Sequence, residues 1–135
     1  MTKQAKDPAL VKRGRSARIK GQVGEREVCE IIRRVTGEDI KRNLGQERDS
    51  GCDISLGPFI LEVKRQQRNK MAEWQHQVSE AAKECGKIPA IVWRRDGEKW
   101  WVACEFEVFL QIVNSLRPKD ERIDSQGSPE DIPVG

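Results

Sequence analysis

The chain has few of the residues that hold a transition metal or build a disulfide framework. It has one histidine, and its four cysteines are far apart, with no Cys-x-x-Cys pair. They are Cys29, Cys52, Cys85 and Cys104. This spacing argues against a zinc site and against a secreted disulfide scaffold, and it fits reduced thiols in a cytoplasmic protein.

Long apolar runs are also lacking. No segment approaches the roughly 20 apolar residues that span a membrane, and the first residues contain no apolar core typical of a signal peptide. Aromatic residues make up 5% of the chain and charged residues 35%. We therefore expect a small core under a highly charged surface, and at 135 residues the chain fits one domain.

Positive charge is concentrated near the N-terminus. Residues 1–20 contain seven Lys and Arg residues and one acid, whereas the whole chain has a net charge of only +3. A basic arm over residues 1–20 is typical of a nucleic-acid partner, although a solubilising tail is the alternative. We expect the folded domain over residues 21–116, and a disordered tail rich in Pro, Ser, Gly and acids over residues 117–135.

The segment from Asp53 to Lys64 is predicted to be a β-hairpin that brings two acids together. A Gly-Pro pair at residues 57–58 separates two short apolar runs. If these two residues form the whole loop, Asp53 lies opposite Glu62, whereas a three-residue turn would break this register. Glu62 and Lys64 share one face of the strand, because side chains alternate.

Two carboxylates in this arrangement need a compensating charge. Directly opposed side chains lie about 5 Å apart, and like charges at that distance repel. Asp53, Glu62 and Lys64 therefore indicate a divalent-metal site with a lysine beside it. The alternative is an ordinary edge hairpin whose charged face is solvated.

A third acid lies on a predicted amphipathic helix over about residues 21–36. Val28, Ile32 and Val35 follow the spacing of one buried stripe, and Glu25 falls on that stripe. A buried carboxylate is costly unless it is paired or bound to metal. The alternative is a carboxylate favoured by the helix dipole, but with Asp53 and Glu62 present a shared site is the better interpretation.

The rest of the chain predicts a mixed α/β domain with the order α-β-β-β-α-β-β-α. The remaining elements are a strand over 40–44, a helix between Asn69 and Gly86, strands over 88–94 and 100–105, and a helix over 106–116. A two-residue turn at Asp96-Gly97 would place Trp93 opposite Trp100. The last helix has too many apolar residues for one stripe, which indicates either a subunit interface or a fully buried helix.

This order of elements, with three acids and a lysine in it, resembles the PD-(D/E)XK nuclease superfamily. Within it, the likeness is to the archaeal-type Holliday junction resolvases, which also occur in phages. The segment 24–27 (Gly-Glu-Arg-Glu) resembles their opening helix, 61–64 (Leu-Glu-Val-Lys) their central strand, and 76–78 (His-Gln-Val) part of their second helix. The likeness covers roughly residues 20–105.

Two departures from the family pattern lie next to the first strand acid. Cys52 stands where many members have proline, and Glu47 and Asp49 are rival acids in the preceding loop. Neither departure removes a candidate ligand, but both leave open which side chains form the full set of metal ligands.

The resemblance implies a restriction-endonuclease-like fold, with a mixed central sheet flanked by helices. It implies a Mg²⁺-dependent endonuclease, with Mn²⁺ as an alternative ion, that acts as a homodimer on four-way DNA junctions in recombination and repair. The expected location is the cytoplasm of a prokaryotic or phage-infected cell. The candidate catalytic residues are Glu25, Asp53, Glu62 and Lys64.

The candidate metal ligands are oxygens, which suit Mg²⁺ or Mn²⁺. They are Asp53, Glu62, the main-chain carbonyl of Val63, and Glu25 directly or through water. Lys64 is a candidate to orient or deprotonate the attacking water, or to hold the phosphate; a salt bridge to Glu62 is its alternative role.

Basic and polar side chains around this site are candidate contacts to the DNA backbone. They are Lys12, Arg13, Arg15, Arg18, Lys20, Arg26, Arg42, Arg48, Ser50 and, by family likeness, Gln77. Each has a plain solvated role as its alternative. Backbone contacts of this kind supply affinity that falls with salt, and nothing in the sequence indicates base-specific readout.

Other functions remain open on the sequence alone. A nuclease for flaps, single strands or duplex DNA would keep the same chemistry. A non-catalytic DNA-binding module would bind without metal and would be indifferent to Glu62→Ala. The third alternative is a protein-interaction domain that binds its partner through the last helix. In that case the pattern of acids would have arisen by chance and would have no catalytic role.

Overall fold

The structure, a computed structural model, describes residues 8–40, 42 and 53–124, with side chains described for residues 16, 18–40, 42 and 53–124. Its elements are α1 (Pro8–Thr36), β1 (Ile54–Leu56), β2 (Phe59–Arg65), α2 (Met71–Cys85), β3 (Ile88–Arg94), β4 (Trp101–Ala103), α3 (Phe106–Ser115) and a 3₁₀ turn (Lys119–Glu121). The strand predicted over 40–44 lies mostly outside the described residues. Ile40 and Arg42, which are described, are not in a strand.

The four strands form one mixed sheet in the order β1-β2-β3-β4. β1 and β2 are an antiparallel hairpin, β2 and β3 are parallel, and β3 and β4 are antiparallel. A parallel pair needs a crossover connection, and α2 supplies it between β2 and β3. This mixed sheet with its helices confirms the predicted fold class.

The first hairpin has the register that its sequence predicts. Leu56 pairs with Phe59, and Ile54 pairs with Leu61, so Gly57 and Pro58 form the whole loop. Gly57 has a φ of +53°, a conformation that glycine adopts without a steric penalty. Continuing the register by one residue brings Asp53 to the level of Glu62, as predicted.

Alternation along β2 divides the core between the two faces of the sheet. Leu61 and Val63 pack with Val28 and Ile32 of α1 in one buried cluster. Ile60, on the opposite face, packs in a second cluster. Its other members are Trp74, Val78 and Ala82 of α2 and Ile91 of β3.

Helix α1 is longer than the apolar pattern predicts. It begins at Pro8 instead of about Gly21, so the segment assigned to a basic arm is helical from residue 8. Proline is well tolerated in a first helical turn, and the polar residues that follow are good helix formers. The prediction that Val35 is buried is also wrong, because its side chain is 73% exposed.

The β3–β4 hairpin differs from its predicted register by one residue. Trp93 pairs with Trp101 and not with Trp100. A tight turn does form, since the amide of Glu98 donates to the carbonyl of Arg95 at 3.1 Å, but the returning segment contains one more residue than a two-residue loop allows. That shift leaves Trp100 under the guanidinium of Arg94, 5.2 Å from its ring centroid.

Helix α3 presents an apolar surface to solvent. In the described part of the chain it buries only Val108, Val113 is half-buried, and its remaining large apolar side chains are exposed. These are Phe106, Phe109, Leu110 and Ile112, followed by the cap residue Leu116. The fully buried alternative is therefore wrong. None of the helices in the described ranges is long and apolar enough to cross a membrane.

Gly24 of α1 lies close to β2 and to Trp100, and a larger residue there should destabilise the fold. A Cβ added there would lie 3.3 Å from Cβ of Arg65 and 3.3 Å from Cη2 of Trp100, whereas a Cβ on Gly21 would meet nothing within 4 Å. We expect Gly24→Ala to lower the free energy of unfolding by about 1–2 kcal/mol, because overpacking outweighs the gain in helix propensity. Gly21→Ala, the matched control, should raise it by about 0.5–1 kcal/mol. Urea unfolding that gave both variants the same shift would contradict this packing.

Candidate active site

A cleft of about 730 Å³ opens between α1 and the C-terminal end of β2, and the three predicted acids line it. Glu25, Asp53 and Glu62 are only 3%, 8% and 7% exposed. Val63 and Lys64 line the same cleft. The structure thus brings together every residue that the sequence nominates for catalysis or metal binding.

Asp53 is held by the backbone of the opposite strand. Its Oδ2 accepts a hydrogen bond of 2.8 Å from the amide of Val63. The pKa of Asp53 is raised to about 7, mainly by burial and next by the negative charge of Glu62. The Val63 hydrogen bond and, more weakly, the charge of Lys64 act in the opposite direction. The electrostatic repulsion between opposed carboxylates that the hairpin register predicts is therefore present.

The other two acids each contact a cation. Lys64 Nζ lies 3.1 Å from Glu62 Oε1, which is the salt bridge considered as its alternative role. Arg42 Nη1 lies 3.3 Å from Glu25 Oε2. These ion pairs offset part of the cost of burying two carboxylates.

The donor chemistry of the cleft fits a hard divalent cation. Carboxylate and carbonyl oxygens are the ligands that Mg²⁺ and Mn²⁺ prefer, and the mutual repulsion of Asp53 and Glu62 would be relieved by a bound cation. Within the described ranges, no three acidic, histidine or cysteine side chains are grouped closely enough to hold a metal. Binding would therefore require Glu25 and Glu62 to turn from Arg42 and Lys64.

Comparison with known protein families decides the class of the chain. The family described as "Phage putative PDDEXK endonuclease" matches residues 16–127, a segment that contains all three acids and Lys64. The chain belongs to this phage PDDEXK endonuclease family. Searches of the curated proteins and of the solved structures found no match. Membership confirms the resemblance to PD-(D/E)XK nucleases, and a nuclease of this family has DNA as its substrate.

The endonuclease also contains a network of ion pairs beside the cleft that the sequence does not predict. Asp96 contacts Lys20 Nζ at 2.6 Å and Arg65 Nε at 3.1 Å. Glu27 contacts Arg65 Nη1 at 3.7 Å and Arg94 Nη2 at 2.9 Å. The network joins α1, β2, β3 and the turn after β3. Charge pattern alone could not identify it, because the partners are far apart in the chain.

The predicted DNA contacts are dispersed in the structure. Arg18 and Lys20 line the cleft, and Arg26 and Arg42 line a separate concavity on α1. Gln77 is exposed on α2 and is not among the residues that line the cleft. The side chains of Lys12, Arg13 and Arg15, and the whole of Arg48, Ser50, Glu47, Asp49 and Cys52, lie outside what the structure describes.

Proposed function

We propose that this endonuclease hydrolyses the phosphodiester backbone of four-way DNA junctions in a Mg²⁺-dependent reaction. The observation that carries the proposal is the buried pair Asp53 and Glu62, with Lys64 beside it, in one cleft of a PDDEXK-family chain. Junction selectivity rests on the resemblance of segments 24–27, 61–64 and 76–78 to the resolvases.

Four groups of this chain would hold the ion: the carboxylates of Glu25, Asp53 and Glu62, and the main-chain carbonyl of Val63. A bound Mg²⁺ or Mn²⁺ lowers the pKa of a water ligand and stabilises negative charge on the phosphate. Strand pairing and the Val63 amide fix Asp53 next to Glu62, whereas Glu25 and Glu62 would exchange their contacts with Arg42 and Lys64 for the ion. Helix α1 brings Glu25 from the other side.

Lys64 is the group that acts on the substrate. Its ammonium lies at the cleft on the same strand face as Glu62, where it can donate a hydrogen bond to the attacking water or to a phosphate oxygen. As water attacks, it gives up one proton to solvent and its oxygen bonds to phosphorus, while the bond from phosphorus to the leaving oxygen breaks and that oxygen takes up a proton from solvent. Lys64 would hold the water or phosphate in line during this exchange.

We propose further that two copies pair through the exposed face of α3. Two of the side chains on this face, Phe106 and Leu116, are 71% and 80% exposed. A contiguous apolar surface of this kind marks an interaction site in a soluble protein. Two copies also fit the substrate, because symmetric cleavage of a junction needs two active sites.

Charge placed on this face should separate the copies. We expect wild type to have twice the mass of the 15.4 kDa chain. The double variant Phe109→Glu, Leu110→Glu should have the mass of a single chain, because burying two unpaired carboxylates in the interface costs several kcal/mol. Gln111→Glu, an exposed polar position on the same helix, is the control. Light scattering after size exclusion gives the masses. A monomeric wild type, or a dimer that the double variant leaves intact, would contradict the proposed interface.

Substrate selection is tested by cleavage of four labelled DNAs in Mg²⁺: a four-way junction, a matched duplex, a flap and a single strand. Paired symmetric nicks confined to the junction would support the resolvase function. Preferential cutting of any of the other three DNAs would support the metal-dependent active site but contradict the junction as its substrate.

A further inference from the structure

Six cations line the active-site cleft, and three of them contact an acid among the described residues. Lys64 contacts Glu62, and Lys20 and Arg65 both contact Asp96. Arg68 and Lys70 also line the cleft, are exposed, and form no ion pair with any residue in the described ranges. A polyanion can therefore contact these two charges without displacing an ion-pair partner among the described residues.

The segment that carries these two side chains is fixed on both sides. It leaves β2 directly after the strand that holds Glu62 and Lys64. The amide of Gln66 donates to the carbonyl of Arg94 at 3.2 Å, and the carbonyl of Gln66 accepts from Trp93 Nε1 at 3.0 Å.

Two further hydrogen bonds hold the rest of the segment. The side chain of Gln67 accepts a 2.7 Å hydrogen bond from the amide of Asp96, and the side chain of Asn69 accepts one of 2.8 Å from the amide of Met71. Arg68 thus lies between two tethered residues, and Lys70 follows at the start of α2. A fixed backbone reduces the conformational entropy lost when these side chains bind a ligand.

We infer that Arg68 and Lys70 bind backbone phosphates of the DNA strand that is cleaved, flanking the phosphate at Asp53 and Glu62. This inference rests on the proposed nuclease function and names its substrate contacts. It differs from the sequence prediction, which places these contacts on α1, on the segment before the hairpin and at Gln77 of α2. Hydrogen bonds of Gln66 and Gln67 hold this segment directly after the catalytic strand, so Arg68 and Lys70 lie where they can contact the phosphates next to the scissile one.

The test compares DNA binding by wild type and the double variant Arg68→Gln, Lys70→Gln. The matched control is the pair Lys83→Gln and Lys87→Gln, which removes the same charge at the far end of α2, about 20 Å away at 1.5 Å per residue. Fluorescence anisotropy with a labelled duplex and a labelled four-way junction, in EDTA over a series of salt concentrations, gives Kd and the slope of log K against log salt.

We expect the double variant to raise Kd roughly tenfold or more and to reduce the salt slope by about 2, close to one unit for each lost phosphate contact. The control should reduce the slope by less than about half a unit. Equal slopes for the double variant and the control would overturn the inference, as would a wild-type protein that binds neither DNA. Wild type that binds through Arg68 and Lys70 but cleaves no DNA in Mg²⁺ would support these contacts and overturn the proposed catalytic function alone.

Discussion

Glu62→Gln should reduce the rate of DNA cleavage by about a thousandfold or more and leave DNA binding nearly unchanged. The substitution keeps the size of the side chain and an oxygen that can accept from Lys64 Nζ, now 3.1 Å from Glu62. It removes the negative charge that would hold the cation, and loss of a metal's contribution to phosphoryl chemistry has effects of this size. Single-turnover cleavage and anisotropy in EDTA measure the two quantities separately.

The control for this variant is Glu84→Gln, which removes the same charge from an exposed position on α2. It should cleave at the wild-type rate. If Glu62→Gln cleaved within about threefold of wild type, a margin below 1 kcal/mol in activation free energy, Glu62 would have no part in the reaction. Loss of binding in step with cleavage would instead give Glu62 a structural role.

Asp53→Asn should stabilise the metal-free protein at neutral pH. The folded-state pKa of Asp53 is raised from 3.8 to about 7, so between these values the folded chain keeps a proton that the unfolded chain has lost. The contribution of Asp53 to the free energy of unfolding therefore falls as pH rises through this window. One pKa unit corresponds to about 1.36 kcal/mol. We therefore expect the free energy of unfolding of the variant, relative to that of wild type, to rise by about 2–4 kcal/mol between pH 4 and pH 8.

The measurement is urea unfolding in EDTA at a series of pH values. Asn keeps an oxygen that can accept from the amide of Val63, so the hydrogen bond at Asp53 is preserved. Asp120→Asn, at an exposed position, should follow the wild-type profile. Parallel profiles for wild type and Asp53→Asn would contradict the electrostatic account of the cleft. Addition of Mn²⁺ should raise the stability of wild type more than that of Asp53→Asn.

The site could be predicted from the sequence because its geometry is mostly local. A two-residue turn fixes the register of β1 and β2, and register alone sets Asp53 beside Glu62. Glu25 lies on α1, but its position follows from the helical period that also buries Val28. Strand register is strongly specified where one face of the strand is buried, as it is in β2.

Long-range pairing could not be predicted in the same way. The network through Asp96 depends on contacts between residues 20, 65 and 96, which no local pattern relates. The pairing of Trp93 with Trp101 goes together with contacts of the Trp100 ring to Arg94 and near Gly24. The turn sequence alone does not reveal these contacts. The start of α1 at Pro8 could not be predicted from the apolar pattern, because that pattern covers only the later stripe that contains Val28 and Ile32.

Dependence of DNA cleavage on a divalent cation tests the central claim most directly. Wild type is incubated with a labelled four-way junction in Mg²⁺ and in EDTA, with Glu62→Gln in Mg²⁺ as the blank. The account predicts paired nicks with wild type in Mg²⁺, and intact DNA in the other two reactions. Tight binding by wild type without cleavage of the junction, duplex, flap or single strand, in either Mg²⁺ or Mn²⁺, would contradict it.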